Sequence, residues 1–434
     1  MTAGPSTPST PSPASSTASP QPSLLKRLGP GIVTGAADDD PSGIATYSQA
    51  GAQAGFGLLW TVIITWPLMV AVQSVSARIG RVTGRGLAAN MARAFPRPVV
   101  YVLVLLLFVA NTINLGADLA AMGEATRLVV GGSAHLYTVG FAAASLLAII
   151  YVPYHRYVGL LKWLTFSLFA YAGVVFTVKI DWPAVVAGAL VPRFAFSGET
   201  LTLIVAIFGT TISPYLFFWQ SAQEVEDEKA DPEAAPLLRH PEQAQRELNR
   251  IGWETWFGMA ASNLIAFFIM LTTAVTLHAA GRADIQTAEQ AAEALRPIAG
   301  NLAFLLFSLG LVGTGLLAVP VLAGSVGYAV AETFGLRYGL ERSWRQARAF
   351  YAVIALSIVL GLAMGFVGMD PIRALVWSAV VNGVIVVPIM VAMMMVASRR
   401  KIMGAFVAAP WQVVLGWTAT AVMAAAGIAM FATT

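Results

Sequence analysis

Cysteine does not occur anywhere in this 434-residue chain. Disulfides, thiolate metal sites and thiol redox chemistry are therefore excluded. Charge is nearly as scarce: Asp, Glu, Lys and Arg together make up 11% of the residues, against about 25% in an ordinary soluble domain. Histidine occurs four times, as His135, His155, His240 and His278, and no two share a helical face at ligand spacing. All four read as residues of loops or span ends. The P-loop, Rossmann, zinc-protease and catalytic-triad patterns are missing too, which argues against primary pumping and against an enzyme. No secretory signal is evident, because the first apolar segment after Lys26 and Arg27 is interrupted by aspartates.

Apolar sequence, by contrast, is abundant. Hydrophobic residues account for 57% of the chain and the mean hydropathy is +0.72. Runs near the length needed to cross about 30 Å of hydrocarbon recur throughout. The predicted class is an all-α polytopic membrane protein whose environment is the lipid bilayer. Residues 1–23 are almost entirely Ser, Thr, Pro and Ala, and 1–28 reads as a disordered tail before a single transmembrane domain at 29–434.

Eleven spans are predicted, at about 30–53, 57–77, 98–122, 137–153, 160–180, 200–221, 253–280, 300–331, 348–366, 371–397 and 411–432. With the N-terminus inside, six basic residues fall outside or at outer helix ends: Arg127, Lys179, Arg193, Arg282, Arg296 and Arg373. The other twenty of the 26 fall on the inner side, which predicts a cytoplasmic N-terminus and an outer C-terminus. This distribution also accounts for the net charge of +4, so nucleic acid is not an expected partner. Gly31/Gly35, Gly51/Gly55 and Gly361/Gly365 have GxxxG spacing, read as close internal packing. No obligatory protein partner is inferred from them.

Two spans break the pattern. Span 1 contains "GAADDDPSGIATYSQAG", with Asp38, Asp39 and Asp40 directly before Pro41, Ser42 and Gly43. Span 6 contains "IFGTTISPYLFFWQSAQ", with Pro214 in the middle. Proline removes a backbone donor and frees carbonyls in the preceding turn. At membrane depth such carbonyls are tolerated only in packed protein or along a cavity. Interrupted helices at matching positions, five spans apart, mark a transporter site between inverted repeats, here about 29–180 and 195–397 with the span at 411–432 additional. Carbonyls, a helix C-terminus and a carboxylate together suit a cation. A carboxylate in the bilayer costs about 2.5–3.5 kcal/mol to insert and is functional by default. Asp40 is therefore the expected ligand; Asp38 and Asp39 either reach the ion, pair with arginine or sit solvated in a vestibule.

These segments resemble the Nramp-type divalent metal-ion transporters. "GPGIVTGAADDDPSGIATYSQAGAQAGFGLLW" is similar to the family's first span, with its Asp-Pro-Gly-Asn pattern, and "GTTISPYLFFWQSA" to its sixth, with Met-Pro-His. "GADLAAMGEA" resembles its third-span Thr-Asp-Leu-Ala-Glu segment. The resemblance implies a LeuT-like fold of two inverted five-helix repeats, with spans 1 and 6 discontinuous and holding the metal. It places the family's Asp on Asp40 and its Asn on Gly43. Its carbonyl donors fall on Ala37 and Thr210, and its Met falls on Ser213. Its two span 6 histidines become Tyr215 and Gln220. The span 3 Asp is Asp118, and the Glu after it is Ala121.

What remains is an all-oxygen set in a roomier pocket, which suits a hard, partly hydrated ion. The nearest likeness is the Nramp-related magnesium branch. Mg²⁺ is the expected substrate with Mn²⁺ tolerated, moved by alternating access with weak or no proton coupling. The resemblance leaves open a proton-coupled Mn²⁺/Fe²⁺ importer, and more remotely an amino-acid carrier on the same fold or a membrane scaffold. No cofactor is expected beyond the transported ion. The expected location is a bacterial inner membrane.

Asn111, Asn114 and Asp118 share one face of span 3. They either line an ion or water path or close a hydrogen-bonded helix seam; Asn382 of span 10 is a further polar candidate. The acidic stretch Glu224, Glu226, Asp227, Glu228, Asp231 and Glu233 reads as a solvated inner loop, or as a cation-concentrating mouth.

Overall fold

The computed structural model describes residues 29–152, 166–193, 196–366 and 370–433. The expected N-terminal tail, His155 and the first part of the fifth span lie outside these. Among the described residues every regular element is helical.

Span 1 is two half-helices, 1a (Pro30–Asp38) and 1b (Pro41–Ala54). Spans 2, 3 and 4 are Leu59–Thr83, Arg97–Val130 and Ala134–Tyr151. Span 6 is again split, into 6a (Gly198–Thr211) and 6b (Pro214–Ala230). Span 7 is Ala244–Thr273, continued by a wider turn to His278. Spans 8, 9, 10 and 11 are Ala303–Phe334, Arg348–Met364, Pro371–Ala397 and Pro410–Thr433. Of the fifth expected span, Phe169–Val174 is helical.

The two breaks obey one local rule. Asp39 (ψ 56°) and Asp40 (ψ 169°) leave the helical region before Pro41. Ile212 (ψ 68°) and Ser213 (ψ 135°) do the same before Pro214. The proline ring disfavours a helical residue before it, yet its fixed φ suits the first turn of the helix that follows. Proline alone is not sufficient, since Pro67, Pro320 and Pro388 lie inside continuous helices of spans 2, 8 and 10. The residue before proline differs: it is a short polar side chain, Asp40 or Ser213, at the breaks and Trp66, Val319 or Val387 within the continuous helices. Asp40 accepts from the Gly43 amide at 2.9 Å, while Ser213 Oγ donates back to the carbonyls of Gly209 (2.8 Å) and Thr210 (2.9 Å). Short polar side chains offer the backbone these alternatives to helix.

Burial places the broken helices at the centre. The apolar window of span 6 is 94% buried, against 22% for span 4, which faces lipid at the periphery. Missing side chains set the spacing. A Cβ on Gly35 would lie 2.3 Å from the backbone of Gly258, holding 1a against span 7. One on Gly209 would lie 2.0 Å from the Ala379 carbonyl oxygen, holding 6a against span 10.

The acidic stretch differs from expectation. Glu224, Glu226, Asp227 and Glu228 continue helix 6b, and only the later residues form a loop. Glu224 is buried and pairs with Arg250 at 2.5 Å; Arg250 also reaches Glu247 (3.1 Å) and Glu254 (2.8 Å). Glu228 and Glu247 each pair with buried Arg81 at 3.3 Å. Local charge density suggested solvation; instead arginines from spans 2 and 7 pair with Glu224 and Glu228 in buried positions and clamp the ends of span 2, 6b and span 7 together.

Candidate metal site

The break in span 1 sends its carboxylates in two directions. Asp40 faces the break of span 6 and span 3. Its Oδ1 accepts from Ser42 Oγ (2.6 Å) and the Gly43 amide, and its Oδ2 from Asn114 Nδ2 at 2.9 Å. Ser42 and Thr210 hydroxyls meet at 3.2 Å across the two breaks. Tyr47 and Thr211 hydroxyls meet at 2.8 Å, and Tyr215 donates to the Ala37 carbonyl at 3.3 Å. A Cβ on Gly43 would sit 3.3 Å from Thr210 Oγ1 and 3.6 Å from Asp40 Oδ1, so the absent side chain keeps the space between them open. Asp40, Ala37, Gly43, Thr210 and Ser213 thus gather at the paired breaks.

Of the expected path residues, Asn114 belongs to this cluster. Its amide nitrogen also lies 3.4 Å from Asp118 Oδ2, and its oxygen accepts from Ser378 Oγ at 2.7 Å. Asp118 is fully buried, with Oδ1 unpartnered. Asn111 turns elsewhere, donating to Leu322 O and Ser325 Oγ at 2.9 Å each; it closes a seam between spans 3 and 8. Gln220 donates to Thr255 at 3.0 Å, joining 6b to span 7. Asn382, one helical turn beyond Ser378, is buried with neither amide atom partnered.

Asp38 and Asp39 face span 7 instead. Both reach Ser262 Oγ, at 2.5 and 3.0 Å. One hydroxyl hydrogen cannot satisfy two carboxylates at once. Asp38, Asp39, Asp40 and Asp118 are each 5% exposed or less. Among the described residues, none of the four pairs with Lys, Arg or His. Among the described residues neither Asp38 nor Asp39 has an arginine partner, so the arginine-paired alternative is not what the fold shows. Asp39 borders a cavity of about 200 Å³ between 1a and span 7.

Three described histidines are exposed, as expected: His278 bonds Ala52 O at 2.8 Å, His240 bonds Glu242 at 2.8 Å, and His135 stacks on Phe366. Among the described residues, no three His, Asp or Glu side chains are placed to hold a metal ion together. The arrangement offers a cation one carboxylate with hydroxyl and carbonyl oxygens. Sequence reasoning missed Ser42, Ser262 and Ser378. Membrane helices carry many hydroxyl residues that bond back to their own helix, and nothing in spacing singles out those that also reach a polar group on another element.

A helical bundle with its first and sixth spans broken face to face has the LeuT-like fold. The structure of MhsT in complex with L-phenylalanine superposes with a TM-score of 0.63 over 94% of this chain and 98% of that one, at 11% identity. The manganese transporter of Eremococcus coleocola, in complex with an aromatic bis-isothiourea compound, superposes with a TM-score of 0.72 over 93% and 86%, at 18% identity. The family model of Nramp, natural resistance-associated macrophage protein-like, matches residues 31–433, and the chain belongs to that family. A curated relative, the divalent metal cation transporter MntH of Klebsiella pneumoniae (strain 342), is 27% identical over 416 residues, 92% of each chain.

Proposed function

We propose that residues 29–434 act as one transporter domain that carries a divalent cation across a membrane by alternating access. Mg²⁺ is the preferred ion, Mn²⁺ is accepted, and protons move weakly or not at all. The observation that carries this reading is the donor chemistry at the paired breaks. The Asp40 carboxylate, the Ser213 hydroxyl and the carbonyls of Ala37 and Thr210 are all hard oxygen donors, and oxygen sets favour Mg²⁺ and Mn²⁺ over softer metals. The opening left at Gly43 admits water, which Mg²⁺ sheds reluctantly. Tyr215 and Gln220 stand where the family resemblance expects ionisable imidazoles, and each is held by a neighbouring oxygen, Ala37 O and Thr255 Oγ1. The relatives' names as divalent metal cation or manganese transporters support the substrate class.

Alternating access follows from the breaks. Each half-helix moves as a rigid piece about two non-helical residues, while Asp40 belongs to the hinge and stays with the ion in either state. The distribution of basic residues supports an N-terminus on the cytoplasmic side, and the bacterial relatives support a plasma-membrane location.

The second reading, a proton-coupled Mn²⁺/Fe²⁺ importer, draws on Asp118, a carboxyl group linked to Asp40 through Asn114. An anionic amino-acid substrate is disfavoured, because the Gly43 amide that it would need at the start of 1b is occupied by Asp40. The test is uptake of Mg²⁺ and Mn²⁺ into proteoliposomes with internal pH recorded. Uptake with little pH change is expected. Metal-driven acidification at zero membrane potential would establish the proton-coupled reading instead.

A further inference from the structure

Arg81 and Arg78 lie one turn apart on span 2 and have opposite surroundings. Arg81 is enclosed by Glu228, Glu247, the Ala235 carbonyl and Gln243. The Arg78 guanidinium bonds only the Val407 carbonyl, at 3.2 Å, and its Nε is buried without a partner. Among the described residues no carboxylate lies within ion-pairing distance of it. One turn back on the same face, Ser74 is 1% exposed and its Oγ is likewise unpartnered. Both side chains line a cavity of about 630 Å³ between spans 2, 7 and 11. Trp253, Trp256 and Trp411 border it and are 60%, 40% and 47% exposed.

Each feature points to the same occupant. Tryptophans at one depth on several helices mark the level of lipid headgroups. An unpaired guanidinium there lacks an anion, and phosphate oxygens are the acceptors that its planar fork matches. Ser74 supplies a hydroxyl donor beside it. At about 30 Å³ per water, the cavity holds some twenty waters' volume, enough for a phosphoglycerol group and the start of an acyl chain. Basic pockets between membrane helices are recognised by anionic lipid headgroups. We propose that this cavity is a binding site for one anionic phospholipid of the phosphatidylglycerol type, its phosphate on Arg78 and Ser74 and its glycerol backbone among the three tryptophans. The bound lipid joins span 11 to spans 2 and 7 at the Arg-rich membrane face.

Native mass spectrometry of the purified full chain, with phosphatidylglycerol or phosphatidylcholine added, tests this. The wild type should retain one phosphatidylglycerol per chain in preference to phosphatidylcholine. Arg78→Gln should weaken phosphatidylglycerol retention about tenfold, as for one lost charge-assisted pair, and leave phosphatidylcholine unchanged. Gly252→Leu is the second variant. It keeps Arg78, and no atom lies within 4 Å of a Cβ at Gly252, so it should fold and occlude the cavity. It should lose phosphatidylglycerol as well. Equal retention of the two lipids by the wild type would overturn the proposal, as would unchanged retention in both variants. Displacement of the lipid by millimolar inorganic phosphate would overturn it in favour of a free-anion site. Metal transport is not the readout, so this outcome is independent of the proposed function.

Discussion

Asn114 of span 3 donates its amide to Asp40 at 2.9 Å, tying a continuous helix directly to the break in span 1. The same nitrogen lies 3.4 Å from Asp118, and Ser378 of span 10 holds the amide's oxygen. The orientation of Asp40 is therefore set by three spans. Asn114→Ala removes a hydrogen bond to a charged group, worth about 1.5–3 kcal/mol. Mn²⁺ affinity measured by calorimetry should fall about tenfold or more, with the protein still folded by size exclusion. Unchanged affinity would assign Asn114 to helix packing alone.

Asp40→Asn keeps the shape of the hinge and removes its charge. Loss of one partner from a buried charge pair costs about 3–5 kcal/mol, equivalent to a roughly 100–4000-fold loss of affinity. Uptake at millimolar metal should vanish in proteoliposomes. Asp38→Asn and Asp39→Asn should be milder, because their side chains turn to Ser262 on the far side of the break. Normal transport by Asp40→Asn would remove the proposed site.

Ser213→Met together with Gly43→Asn introduces a thioether and narrows the pocket. Competition assays should show a shift from Mg²⁺ toward Mn²⁺ and Cd²⁺, since a thioether favours the softer ion. The Gly43 change alone should be costly, because its Cβ would already press to 3.3 Å on Thr210 Oγ1 and Tyr47 Cε2. An unaltered selectivity series in the double variant would show that these positions do not face the ion.

Arg250→Leu strands Glu224, whose side chain is fully buried, along with Glu254, while Glu247 keeps Arg81 and Arg246. Breaking a buried ion pair from one side destabilises by about 3–5 kcal/mol. Thermal unfolding in detergent should occur at a clearly lower temperature. Adding Glu224→Gln should recover part of the loss, whereas an exposed surface pair would show neither effect.

The membrane class and the breaks at Pro41 and Pro214 were legible in the sequence, as was the reason to propose Asp40 as the ligand. The physical reason is that hydrocarbon enforces the rules strictly. Every span needs a long apolar run, and a carboxylate beside an X-Pro step has no ordinary place within one. The directions of side chains were not legible. Asp38, Asp39 and Asp40 are adjacent in sequence, but the non-helical backbone at the break turns the first two toward Ser262 and the third toward Asn114. Asn111 and Asn114 share one face of span 3, yet one closes a seam and the other joins the site, because different helices cross at their two levels. Charge patterning suggested that Glu224 and Glu228 were solvated, but only the folded chain brings Arg81 and Arg250 from distant segments to bury them. Composition and local sterics decide where a membrane helix stops; which neighbour each polar group meets depends on packing between segments far apart in the chain.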